Sequence, residues 1–188
     1  MKNEDLQVDR AGDDLEGRTI AFCITGGIAA IETPKIARHL RRYGAEVKAY
    51  ATPNALKFIG RASLEWATEK QVVCELSGLA EHICKEDLVL VAPATTNTIN
   101  KIFYGIADNS VCSLIASALG MKKPVYIVPS MHLSLYENPV LQENLRKADK
   151  YRVKIIEPRF GENKAKQAST RKIVSEIINY FREKGNEK

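Results

Sequence analysis

Apolar residues along the chain fall into two alternating patterns. Residues 19–25 (TIAFCIT), 88–92 (LVLVA) and 125–128 (VYIV) are short, nearly unbroken apolar runs, as expected of strands buried on both faces of a parallel sheet. Residues 45–51 (AEVKAYA), 72–75 and 153–156 are predicted as further strands. Between them the spacing turns helical. Ile31, Ile36, Ala37 and Leu40 follow the first strand, and Tyr43 with Gly44 ends that helix. Ile99, Ile102, Phe103 and Ile106 mark a helix over about 98–107, with further helices over 111–119, 139–148 and 170–182. Residues 55–59 begin a short helix, 62–84 are a mixed stretch, and 162–168 read as a polar loop. Strands that alternate with helices predict an α/β fold, a doubly wound parallel sheet with right-handed crossovers in a single domain.

Composition changes this picture little. A chain of 188 residues, 45% hydrophobic and 27% charged, suits one globular domain with a full core. Residues 1–17 are charged and lack apolar periodicity, so they are expected to be a disordered tail. The folded domain is then 18–184, with a short tail at 185–188. The net charge of +5 comes from basic residues that are scattered or in the tails, so no nucleic-acid partner is expected. No apolar run approaches the ~20 residues of a membrane span. The N-terminus lacks the apolar core of a signal peptide, which points to a cytoplasmic protein. Cys23, Cys74, Cys84 and Cys112 form no C-x-x-C pair, so free thiols and no metal site are expected.

Candidate chemistry collects where strands end, which is where open α/β sheets bind ligands. At the first turn, Gly26, Gly27 and Ile28 could let backbone N–H groups approach a phosphate, or could simply form a tight turn. The segment is neither G-x-G-x-x-G nor a G-K-[ST] loop, and no acidic residue ends the second strand, which argues against a dinucleotide. Thr52, Pro53 and Asn54 offer a hydroxyl and an amide, or a plain Pro-Asn turn. The third strand ends in Ala94, Thr95, Thr96 and Asn97, and the fourth in Pro129, Ser130, Met131 and His132. All four ends would face one crevice. His39 reads as a solvated helix residue. His82 and His132 lie in loops beside core strands, where histidine suits proton transfer near neutral pH.

Taken together, these segments resemble the flavin-dependent cysteine decarboxylases, over roughly residues 19–177. ITGGIAAIETPKIARHLRRYGAEVKAYATPNA looks like the family's first βαβ unit, and APATTNTINKIFYGIADN like its flavin motif. AEHI resembles the segment with the active-site histidine, here His82, and PSMH with LYENPVLQENL resembles the substrate motif. The resemblance implies a Rossmann-like (flavodoxin-like) subunit that binds FMN and assembles as a homotrimer or homododecamer with the flavin at a subunit contact. Gly26, Gly27, Ile28, Thr52 and Asn54 would hold the FMN phosphate, and Ala94, Thr95, Thr96 and Asn97 would line the flavin. Asp108 and Asn109 would shape the pocket.

The branch it most resembles implies decarboxylation of 4'-phosphopantothenoylcysteine to 4'-phosphopantetheine in coenzyme A biosynthesis. In that chemistry, oxidation of the thiol to a thioaldehyde supplies the electron sink that loss of CO2 needs, and the enethiolate left behind is then reduced. His82 and His132 are the catalytic candidates. Asn97, Met131, His132, Lys164 and Lys166 are the substrate-binding candidates, the lysines for a phosphate. Two departures stand out. His132 replaces the usual Asn, and IIEPRFGENKAKQAS lacks the Cys of the family's lid. Both resemble an archaeal-type branch, whose decarboxylase domain is often fused to a ligase, so the resemblance implies either a separate phosphopantothenate-cysteine ligase as partner or a longer parent chain that carries it. The alternative is a flavoprotein reductase or electron-transfer protein of the same family without decarboxylase activity.

Overall fold

The computed structural model describes residues 4–186. Its main sheet has five parallel strands: β1 (Thr19–Ile24), β2 (Glu46–Ala51), β3 (Leu88–Ala94), β4 (Val125–Pro129) and, skipping one short strand between them, β6 (Val153–Ile155). Their spatial order is β2-β1-β3-β4-β6. The apolar runs make this sheet because both of its faces are covered. Ile20, Phe22, Ile24, Leu88, Leu90 and Ala92 point into one core, shared with α1 (Thr33–Arg42), α2 (Arg61–Thr68) and α7 (Thr170–Asn186). The alternate residues Ala21, Cys23, Val89 and Val91 point into the other, under α3 (Thr96–Tyr104), α4 (Ser110–Gly120) and α6 (Pro139–Arg146). The expected doubly wound α/β fold is therefore present, and β1 and β3 flank the point where the strand order reverses.

Four regions differ from expectation. Residues 4–17 are not a disordered tail. Leu15 is fully buried in the core beside α1, and its N–H donates to Tyr43 O at 2.9 Å. Arg38, Arg41 and Arg42 of α1 donate to the backbone carbonyls of Gln7, Leu6 and Asp9. Residues 1–3 lie outside the described residues. The expected strand at 72–75 is reduced to a single parallel bridge between Val73 and Tyr50, because only Val72 there is buried.

The expected polar loop at 162–168 is a hairpin, β7 (Arg159–Gly161) with β8 (Lys164–Lys166). Glu162 and Asn163 turn it, with φ of 53° and 55°. It joins β5 (Met131–His132) in a second, three-stranded antiparallel sheet. The short helix α5 (Leu133–Tyr136) follows β5. At the other end, α7 runs through Gly185 and Asn186, which were expected to be tail, and residues 187–188 are outside the described set. Among the described residues no helix is long and apolar enough to cross a membrane.

Candidate active site

β1, β2, β3 and β4 end along one edge of the sheet, and a groove of about 2010 Å³ opens there. Gly26, Gly27, Ile28, Thr52, Asn54, Thr95, Thr96, Asn97, Met131, His132, Lys164 and Lys166 all line it. Twelve positions separated by up to 140 residues in sequence are thus collected on one surface.

The local reasons are visible residue by residue. Thr25, 1% exposed, ties the two strands at the switch point together. Its hydroxyl donates to Pro93 O at 2.7 Å and accepts from Thr95 N–H at 3.1 Å. That pair sets where β3 ends and α3 begins. Thr95 then caps α3, its Oγ1 accepting from Thr98 N–H. The first-turn N–H groups of α3 and the positive end of its dipole therefore lie at the groove, as an anionic or carbonyl-rich ligand requires.

The two glycines differ. A Cβ on Gly26 would stand 2.5 Å from Asn54 Cβ and 2.9 Å from Asn54 C, so the loop after β2 packs directly on this turn. A Cβ on Gly27 would meet only Thr95 Cγ2, at an ordinary 3.7 Å, and its φ of −161° is open to any residue. Nothing within the chain demands glycine at 27, and the space beside it belongs to the groove. A nucleotide-like phosphate over this turn fits that arrangement, and so would FMN.

The opposite wall comes from the small sheet. Pairing of β5 with β8 sets His132 opposite Lys164 and Met131 opposite Ala165. Thr96 Oγ1 approaches Met131 Sδ at 3.0 Å, linking this wall to α3. His132 Nδ1 accepts from Ser134 N–H and lies 3.0 Å from Ser134 Oγ, so the ring proton resides on Nε2, free to donate. Lys166 is committed to Glu162 at 2.8 Å. That bond comes first, and the charges of Lys166 and Lys164 follow, in holding the Glu162 carboxyl below its ordinary pKa. Asp108 and Asn109 also line the groove. Asp108 pairs with Lys101 at 2.6 Å, and Asn109 caps α4 by accepting from Cys112 N–H at 3.0 Å.

Two expected site residues lie elsewhere. Ala94 is fully buried beneath the groove, where its carbonyl accepts from Ser130 N–H at 3.0 Å, so it supports the surface without lining it. His82 does not line the groove and is exposed. Its loop is tied down on both sides. Ser110 Oγ donates to Cys74 O at 3.0 Å, Cys84 N–H donates to Ser117 Oγ at 3.2 Å, and Ser77 bonds Glu81. Behind it the buried Glu86 carboxylate accepts from Tyr50 OH at 3.0 Å and Lys85 N–H at 3.0 Å. Burial, then the Glu86 charge, pushes the Cys84 thiol up to about 11, which leaves it an unreactive core group. Leu79 and Ile83, on either side of His82, are 83% and 43% exposed.

Several lining residues were not expected. They include Arg159, Gln167 and a face of α1 with Lys35, Arg38, His39 and Arg42. The spacing of those four on one helix is readable in the sequence, but their convergence with residues 167–171 is not. His39, expected to be solvated, is half-buried against Tyr43. Among the described residues no cluster of three His, Cys, Asp or Glu could hold a metal, and all four cysteines are free.

A doubly wound α/β protein with a polar crevice at the switch point of its sheet is the class that this geometry defines. The Flavoprotein family's sequence model matches residues 9–182, and the chain belongs to that family. It is 45% identical over 171 residues to the coenzyme A biosynthesis bifunctional protein CoaBC of Thermococcus kodakarensis, covering 87% of this chain and 42% of that protein. The chain thus spans less than half the length of that relative. It is 31% identical over 150 residues to the probable phosphopantothenoylcysteine decarboxylase of Streptococcus mutans, covering 76% of this chain and 83% of that protein. Among solved structures, the epidermin biosynthesis protein EpiD from Staphylococcus aureus superposes with a TM-score of 0.76 at 27% identity, covering 85% of this chain and all of that one.

Proposed function

We propose that the chain is an FMN-dependent carboxy-lyase that converts 4'-phosphopantothenoylcysteine to 4'-phosphopantetheine. The observation that carries this reading is the convergence, in one groove, of the Gly26–Gly27 turn, the α3 start at Thr95, Thr96 and Asn97, and the Met131–His132 strand. The two named relatives, one in coenzyme A biosynthesis and one a probable decarboxylase of this substrate, support it. Gly26, Gly27, Ile28, Thr52 and Asn54 would hold the FMN phosphate by backbone N–H and side-chain groups. Thr95, Thr96 and Asn97 would meet the ring system. FMN, when bound, supplies the hydride acceptor and donor for the thiol-bearing carbon.

The chain's own groups do the rest. His132 Nε2–H and the ammonium of Lys164, adjacent by strand pairing, bind and orient the substrate carboxylate. Holding that carboxylate in a fixed, partly dried position lowers the cost of losing CO2. Lys166, already paired with Glu162, contributes less than Lys164 to anion binding. His82 would remove the thiol proton. Because His82 is exposed and off the groove, it would serve a neighbouring copy, so the active unit is a homo-oligomer, a trimer or an assembly of trimers.

The test is incubation of the FMN-loaded protein with 4'-phosphopantothenoylcysteine. Release of CO2 with 4'-phosphopantetheine is expected. A yellow protein that leaves this substrate untouched refutes the reading.

A further inference from the structure

Lys35, Arg38, His39 and Arg42 lie at i, i+3, i+4 and i+7 on α1, on one helical face, and all line the groove. Arg171, in the first turn of α7, lines it beside them. Neighbouring arginines outside the groove are neutralised, Arg10 by Glu16, Arg41 by Glu69 and Arg182 by Asp14. Those of the groove bond differently. Arg42 donates to Asp9 O, and Arg38 donates to Gln7 O and stacks 4.2 Å over the Trp66 ring. Asp9 and Glu32 line the groove too and offset part of the charge, but the cations remain in excess. The crowding shows at His39, whose imidazole is held below its ordinary pKa by burial and then by Arg42, Arg171 and Lys35.

A second observation is independent of charge. Two residues that line the groove each carry a buried polar atom without a hydrogen-bond partner, Gln167 Oε1 and Arg38 Nη1, and Gln167 is only 6% exposed. A buried amide left unpaired costs about 1–3 kcal/mol. An acceptor and a donor are thus both unsatisfied just beneath a surface rich in cations. The groove is also large. Its volume of about 2010 Å³ exceeds the roughly 300–1,000 Å³ that holds one ligand.

We propose that this stretch of the groove is a second anion subsite, which holds the phosphoryl group of an organic phosphate apart from the phosphate cradle at Gly26 and Gly27. Lys35, Arg42 and Arg171 receive the phosphoryl oxygens as charge-assisted donors. Turning outward on binding would satisfy both buried atoms, Gln167 Oε1 by accepting from an amide N–H or hydroxyl of the same ligand and Arg38 Nη1 by donating to a carbonyl. The subsite rests on the reading of the Gly26–Gly27 turn as the cofactor's phosphate site, since only then is it a second one.

Trp66 is the chain's only tryptophan and lies at this lobe, so its fluorescence reports occupancy without any turnover. The apo and FMN-loaded proteins are titrated with inorganic pyrophosphate, 4'-phosphopantothenate and unphosphorylated pantothenate, by calorimetry and Trp66 emission. Pyrophosphate should bind both forms with dissociation constants within twofold. The double variant Lys35→Ala, Arg171→Ala should weaken it at least tenfold while leaving the FMN affinity unchanged. Binding of 4'-phosphopantothenate but not pantothenate, lost in the same variant, identifies the substrate as the source of the phosphate. Pyrophosphate binding without 4'-phosphopantothenate binding leaves the subsite standing and counts against the proposed substrate. Mutual displacement of pyrophosphate and FMN overturns the proposal, because the lobe is then the cofactor's own phosphate site. So does a double variant, folded by circular dichroism, whose pyrophosphate affinity equals that of the parent.

Discussion

The strand-end groove and the His82 loop are built on opposite principles. The groove is assembled from strand ends that the sheet fixes in place, locked by the Thr25 hydroxyl between β1 and β3. Its polar residues line one shared space. The His82 loop has no sheet to stand on. It is held from behind, by Ser110, Ser117 and the Glu86 carboxylate, and presents an exposed histidine flanked by exposed Leu79 and Ile83. One chain therefore presents a polar crevice and, on another surface, an exposed histidine outside it. On the proposed function, the difference makes binding and turnover separable and turnover the property of an assembly.

The sharpest way to break that comparison is His82→Asn. Turnover of 4'-phosphopantothenoylcysteine should fall by about 10²–10⁴-fold, the usual worth of a general acid or base, while the flavin absorbance stays. Loss of FMN together with activity would mean that the loop belongs to the crevice after all. The paired substitutions Gly26→Ala and Gly27→Ala come next. The first forces a Cβ onto Asn54 and should cost about 1–3 kcal/mol of stability in denaturant titrations. The second should leave the melting temperature alone and weaken FMN binding, read by fluorescence of released flavin. Equal effects on stability would contradict the separate roles assigned to the two glycines.

Thr25→Val removes a buried hydroxyl that serves one donor and one acceptor, so a loss of about 1–3 kcal/mol is expected, with weaker flavin binding. Tyr50→Phe probes the other region. It strips one buried partner from Glu86 and should cost about 1–2 kcal/mol, slowing turnover with flavin affinity unchanged. The smallest effect concerns Asp108, whose carboxyl is held below its ordinary pKa by the hydrogen bond from Lys101. The folded state binds that proton less readily than the unfolded chain does. Its contribution is therefore present above the usual carboxylate range and lost as pH falls through the folded pKa. Asp108→Asn should flatten this part of the acid unfolding curve, and added salt should shrink the difference, because the pair is exposed.

How much of this was legible in the sequence depended on what holds each element. The parallel strands were readable because burial on both faces leaves an unbroken apolar signature, as in Leu88, Val89, Leu90 and Val91. The strand-end residues followed from that topology. The hairpin of β7 and β8 was not readable, since only Ala165 of its six strand residues is buried and its partner strand is two residues long. The packing of residues 4–17 was hidden for a different reason, because its anchors are arginines on a distant helix and a single buried Leu15. His82 became a candidate through resemblance alone. Its distance from the groove was not, because loop position depends on tertiary ties such as Cys84 to Ser117, which no periodicity records.

The grip of α1 on the N-terminal segment has an evolutionary consequence. Arg38, Arg41 and Arg42 bond to the carbonyls of Gln7, Leu6 and Asp9, groups that every amino acid carries. Such a clasp senses the path of the chain and is blind to the side chains along it. Among homologues, residues 6–9 are thus expected to drift in identity, whereas the three arginines and the spacing to Leu15 should be held. A segment that looks unconserved in an alignment can here be one whose course is strictly kept.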